Sequence, residues 1–116
     1  MTSACVNKSG YLAKIDTKEK STALLQYLIS LNASPEDWAF YIGLKDVTGD
    51  NADYEWTSDG SKMTFSNWAN NQPHDKSQRC VLAIANPYYG GYEGQWDDIE
   101  CYRGFGGICQ IDRAFY

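Results

Sequence analysis

Two sets of residues in this chain have chemistry to offer: four cysteines, and a scatter of loop carboxylates around one histidine. The cysteines are Cys5, Cys80, Cys101 and Cys109, and the histidine is His74. No Cys-x-x-Cys pair occurs. A structural zinc site needs Cys and His clustered at short spacing, so zinc is not expected. An even cysteine count in a small chain fits two disulfides and an oxidising, extracellular compartment. Four cysteines allow three pairings, and spacing alone does not choose among them. Bridged cysteines leave no thiol nucleophile, and His74 has no serine or cysteine in a recognisable catalytic context. Asp97, Asp98 and Glu100 are close in sequence, but glycosidase chemistry needs two carboxyl groups at a defined separation across a cleft. The expectation is a protein that binds rather than catalyses. For Asp46, Asp50, Asp53 and Asp59 the simplest reading is that each caps a turn through its own backbone.

The elements that must position these residues are read from pattern. Asp16, with Glu19 three residues on, reads as a helix start. Thr17 to Leu31 is rich in helix formers, and Leu24, Leu28 and Leu31 with Tyr27 form one apolar stripe. Pro35 ends any continuation. A short extended run, Gly10 to Ile15, precedes the helix. After it, Trp38 to Leu44 has the aromatic and β-branched composition of a buried strand. Shorter strand-like pieces follow at Tyr54–Trp56, Met63–Phe65, Cys80–Ile84 and Gly107–Ile111. Turn-rich loops lie between them, at Gly49-Asp50-Asn51, Ser58-Asp59-Gly60, Asn70-Asn71-Gln72-Pro73 and Gly90-Gly91. One early helix followed by short strands and long loops predicts an α+β fold. With no repeat or linker, residues 1–116 read as one domain. The stretch from about Asp46 to Arg79 is mostly loop, and long loops in small domains are usually functional.

Composition narrows the partner. The chain has 116 residues, 43% hydrophobic and 15% aromatic, which suits a packed core rather than a disordered chain. Ten basic and fifteen acidic residues leave a net charge of −5. That disfavours nucleic acid, which wants a basic face, and equally disfavours anionic membrane surfaces. No apolar stretch approaches the ~20 residues that span a bilayer. No signal-peptide pattern opens the chain, so the expectation is a mature, secreted, extracellular domain.

The order of the motifs resembles a known family. Tyr41-Ile42-Gly43-Leu44, Trp56, Ser58-Asp59-Gly60, Phe65-Ser66-Asn67-Trp68, Gln72-Pro73, Cys80-Val81, Trp96-Asp97-Asp98 with Cys101, and Gly107-Ile108-Cys109 follow one another as in C-type lectin-like domains. The resemblance covers nearly the whole chain. It implies the pairing Cys5–Cys109 and Cys80–Cys101, worth about 5 and about 3 kcal/mol on chain-entropy grounds. The chain departs from the family at its start, where Cys5 comes early: either the domain is a trimmed or compact version, or another chain supplies the missing edge. An uncovered edge invites pairing, so a dimer is expected.

The resemblance also implies a site. Sugar-binding members hold calcium and sugar together with a Gln-Pro-Asp or Glu-Pro-Asn tripeptide, a later Glu, and a Trp-Asn-Asp motif. Calcium takes six to eight oxygen ligands, and two vicinal sugar hydroxyls can complete that shell. The proline is usually cis in the family and aims its neighbours at the ion. Here the tripeptide reads Gln72-Pro73-His74, then Asp75, and Gln78 stands for the later Glu. Imidazole is a poor calcium ligand, so Asp75 replaces His74 if the loop shifts by one residue. Metal candidates are therefore Gln72, Asp75, Asp97 and Asp98, with calcium binding weakened, altered or absent. The sugar-binding candidates are the same four with His74 and Tyr89. Trp96 itself reads as core. The rings of Tyr88-Tyr89-Gly90-Gly91-Tyr92 either stack on a sugar's apolar face or pack the loop's underside. A second family calcium site would use Asp46 and Asp50, but Arg79 falls where an acidic ligand is needed, and a cation there opposes the ion. The expected partners are glycans with terminal galactose-type or N-acetylated sugars (GalNAc, GlcNAc); the alternative is a protein partner bound without sugar or calcium.

Overall fold

The computed structural model describes Cys5 and residues 10–32, 37–50, 53–69, 71–73, 77–85, 94–112 and 114–116. Helix α1 spans Lys18–Leu31. Its cap is Thr17 rather than Asp16: the Thr17 Oγ1 accepts the Lys20 backbone N–H at 3.1 Å. A capping side chain reaches the amide two or three positions ahead, so Asp16 is one residue too early. Asp16 accepts instead from the Lys20 ammonium at 2.7 Å, and Lys14 approaches it at 3.6 Å. The helix closes at Asn32, whose backbone is left-handed (φ 47°) and whose N–H returns to the Ile29 carbonyl. The apolar stripe is covered over two turns, not three. Leu24 and Leu28 are buried, while Leu31 is 40% exposed in the last turn.

Among the described residues, seven strands form two antiparallel sheets. They are β1 (Tyr11–Leu12), β2 (Ala39–Asp46), β3 (Tyr54–Trp56), β4 (Cys80–Ile84), β5 (Trp96–Ile99), β6 (Cys109–Ile111) and β7 (Ala114–Phe115). One sheet runs β1-β6-β7 and the other β3-β2-β4-β5. The β2 run starts one residue later than its composition suggested and continues through Lys45 and Asp46, with a register shift against β4 between Ile42 and Lys45. Gly43 sits in that shift for a steric reason. A Cβ there would lie 2.7 Å from the Leu12 carbonyl oxygen. The bare backbone lets the two sheets meet: the Gly43 N–H reaches the Ala13 carbonyl at 2.9 Å, and the Thr57 N–H reaches the Gly43 carbonyl at 2.7 Å.

Two strand expectations change. Met63–Phe65 is not a strand; Lys62 makes a single bridge to Glu55 and the chain then leaves the sheet. Conversely, Trp96–Ile99 is a strand despite its two aspartates, which are poor strand formers. Four paired positions with β4 and the burial of Trp96 and Ile99 override that preference.

The core is an aromatic cluster centred on Trp96. The rings of Trp56, Phe65 and Trp68 stand edge-on to it at centroid distances of 5.8, 6.2 and 5.6 Å. Tyr54 stacks on Trp68 at 5.1 Å. Trp56 and Trp96 are fully buried. Two disulfides close the fold with the pairing the resemblance implied, Cys5–Cys109 and Cys80–Cys101, at Cα separations of 5.4 and 5.0 Å.

Candidate functional site

Backbone bonds to Trp96 bring the Asn67–Pro73 loop to the start of β5. The Trp96 N–H donates to the Asn67 carbonyl at 2.9 Å, and the Trp96 carbonyl accepts from Ala69 at 2.8 Å. The Asn67 side-chain amide adds a bond to the Gly94 carbonyl at 3.1 Å. One turn on, the Gln72 N–H returns to the Ala69 carbonyl at 3.0 Å. Asn71 takes the left-handed conformation that this turn requires (φ 67°), and the Gln72–Pro73 peptide is cis. Gln72 is thereby linked through Ala69 to Trp96, the residue that precedes Asp97.

Asp97 and Asp98 occupy different environments. Neighbouring side chains of a strand leave opposite faces. Asp98 shares the inner face with Trp96 and is 1% exposed, while Asp97 is half-buried. Asp98 lies near Tyr54. Burial pushes the Tyr54 phenol well above its ordinary range, and the charges of Asp46, Asp98 and Asp50 push it the same way. His74, Asp75 and Tyr89 lie outside the described residues.

Three of the loop aspartates, Asp46, Asp50 and Asp59, cap turns. The Asp46 Oδ1 accepts the Gly49 N–H at 3.0 Å. The Asp50 Oδ1 accepts the Asp53 N–H at 3.3 Å. The Asp59 Oδ1 accepts both the N–H and the hydroxyl of Ser61, at 3.0 and 2.7 Å.

Arg79 carries more structure than its charge suggested. Its Nε donates to the Asp46 carbonyl at 2.9 Å and its Nη2 to the Val47 carbonyl at 2.6 Å. Gln78, just before it, has a side-chain Oε1 that is fully buried with no hydrogen-bond partner among the described residues. Such an atom is costly unless a donor or cation completes it. Nothing local in the sequence marks the Gln78 side-chain oxygen as buried.

The chain matches the sequence profile of the Lectin C-type domain over residues 1–111. It belongs to the C-type lectin domain family. Among curated relatives, it is 28% identical over 102 residues to the C-type lectin mosGCTL-7 of Aedes aegypti, covering 87% of this chain and 66% of that one. It is 30% identical over 102 residues to the alpha-N-acetylgalactosamine-specific lectin of Patiria pectinifera, covering 88% and 58%. Among solved structures, the mouse scavenger receptor C-type lectin carbohydrate-recognition domain superposes with a TM-score of 0.73 at 25% identity, covering 97% and 80%. The chain spans 66%, 45% and 30% of the length of three curated relatives, so it corresponds to the lectin domain of longer proteins. No helix among the described residues is long and apolar enough to cross a membrane.

C-type lectins often hold calcium, and the donor chemistry of this chain can be tested for it. Among the described residues no three His, Cys, Asp or Glu side chains gather as a metal group. The Gln72 amide and the Asp97 and Asp98 carboxylates are hard oxygen donors of the kind calcium takes, and the unpartnered Gln78 oxygen is another. That set fits the ion in type. The second family position does not fit: the Arg79 guanidinium is bonded to the main chain there.

Proposed function

We propose that this C-type lectin domain is a carbohydrate-binding module for galactose-type or N-acetylhexosamine sugars, acting outside the cell and without catalysis. The observation that supports the reading is the turn at Gln72: the cis Gln72–Pro73 peptide follows a backbone bond to Ala69, which is itself bonded to Trp96, the residue before half-buried Asp97. The printed specificity of the Patiria pectinifera relative supports the N-acetylated class.

In this reading the Gln72 amide and the Asp97 carboxylate hydrogen-bond two vicinal sugar hydroxyls, with His74 or Asp75 completing the contact. Asp98, buried behind the strand, keeps the site negative. Tyr89 supplies a ring for the sugar's apolar face. Gln72, Asp75 and Asp97 are the residues that would hold calcium, with Asp98 adding its charge from the other face of β5, and the bound ion would draw the same hydroxyls into its oxygen shell. The two disulfides fit a secreted domain. An edge strand of the β1-β6-β7 sheet is where a second copy would pair.

The test is a glycan array probed with calcium and again with a chelator, using the native chain and its Asp97→Ala and Gln72→Ala variants. The expected result is binding to Gal, GalNAc or GlcNAc termini that falls at least tenfold in either variant, the loss of about 1.4 kcal/mol that one hydrogen bond supplies. Loss on chelation assigns calcium to the site; survival assigns direct hydrogen bonding. Silence in both conditions overturns the sugar reading in favour of a protein partner, a reading that Arg79 and His74 at family ligand positions also favours.

A further inference from the structure

The end of β2, the loop after it and β5 contribute Asp46, Asp50 and Asp98, whose charges converge on Tyr54, and the Arg79 guanidinium is bonded to that loop. Asp46 is fully buried, and Asp98 is 1% exposed. Together with Asp50, these are the carboxylates whose charges act on Tyr54. A calcium ion would relieve such a cluster, yet the acidic ligand needed to hold one is replaced by arginine. The Arg79 side chain instead crosses to the loop and bonds two successive carbonyls, Asp46 at 2.9 Å and Val47 at 2.6 Å. Its backbone carbonyl accepts the Asp46 N–H at 2.8 Å, so one residue holds the loop from both main chain and side chain. The guanidinium lies against Gly49, where a Cβ would sit 3.6 Å from Nε. Gly49 also needs its positive φ of 74°. Two donors in a fixed fork can bridge neighbouring carbonyls; the single point charge of a lysine cannot reproduce that geometry.

We propose that Arg79 is a tethered cation that substitutes for a metal ion, holding the 46–53 loop against β4 so that this loop keeps its shape without calcium. The inference concerns the loop next to the sugar-binding face and stands whether or not a sugar binds.

Amide hydrogen exchange at Val47, Gly49 and Asp53 tests it, because their N–H groups make the loop's internal bonds to Asp53, Asp46 and Asp50. In the native chain, protection of these three amides should be equal in millimolar calcium and in chelator. Arg79→Met, which keeps the stem but removes the donors, should lower it roughly tenfold or more in both, the size of one lost charge-assisted bond. Arg79→Lys should fall between. Arg79→Asp should be unprotected in chelator and recover with calcium. Protection of the Val81 and Leu82 amides serves as the control for global folding. Native-chain protection of the three loop amides that depends on calcium overturns the proposal. So does an Arg79→Met loop as protected as the native one, or an Arg79→Asp loop that calcium does not restore.

Discussion

The two faces of the long-loop region are held by opposite means. The inner face is dry and aromatic: Trp56, Phe65 and Trp68 pack edge-on around Trp96. The outer face, at residues 46–50, 53 and 79, is held by main-chain bonds, turn-capping aspartates and one guanidinium. Aromatic packing tolerates almost no loss of volume, because interiors are close-packed. Polar turns can lose one bond and keep the rest. The inner face therefore sets whether the domain folds, and the outer face is the one to which binding is proposed. Trp96 belongs to both, since its ring fills the core while its N–H and carbonyl carry the Asn67–Ala69 segment.

The sharpest way to break this division is at Trp96. Trp96→Ala should cost about 3–5 kcal/mol, enough to threaten the whole fold, and denaturant unfolding measures it. A change that disturbed only the loop would refute its double role. The next largest effect is expected from removing the Cys80–Cys101 bridge, which ties β4 to the residue just past Glu100 across 21 positions. The Cys80→Ala, Cys101→Ala double variant should lose about 3 kcal/mol on chain-entropy grounds and should lower the thermal midpoint without abolishing the aromatic core. Near-ultraviolet circular dichroism of the tryptophans separates these outcomes.

The smallest effect is on the exposed rim. The Lys14 ammonium donates to Asp59 at 2.6 Å, and with the two Ser61 bonds it holds the Asp59 carboxyl well below the usual carboxylate range. A depressed carboxylate contributes stability above its unfolded pKa and loses it as pH falls through the folded pKa. Asp59 should therefore remain charged at pH values where free aspartate protonates. In Lys14→Met its titration should move upward, while the Ser61 bonds keep it still somewhat low. Carboxyl NMR titration reads the shift directly, and an unchanged titration would remove Lys14 as the cause.

Local signals predicted the parts whose causes are local. The α1 helix was legible because its formers, its leucine spacing and its start signal lie within a few residues; only the capping residue moved, from Asp16 to Thr17. The β2 and β4 runs were legible from β-branched and aromatic composition. Trp96–Ile99 was not legible as a strand, because Asp97 and Asp98 argue against one and only pairing with β4 outweighs them. Met63–Phe65 misled for the opposite reason: strand-like composition had no partner beyond the Glu55–Lys62 bridge.

The candidate site was legible as a set of residue types in family order, Gln72, His74, Asp75, Asp97 and Asp98. Its geometry was not. That Asp98 is buried while Asp97 is half-exposed depends on which face of β5 meets the core. The sequence by itself determined the composition of the core, the helix, most strands and the presence of two disulfides. The Arg79 conflict with a second calcium ion was also visible there, as a charge in the wrong place. Only the tertiary structure decided how that charge is used, because its partners, Asp46 and Val47, lie 33 and 32 residues away in the chain. It also displayed the cysteine pairing, across separations of 104 and 21 residues. Propensity acts over a few neighbouring residues, whereas contacts at these separations exist only once the sheets have met.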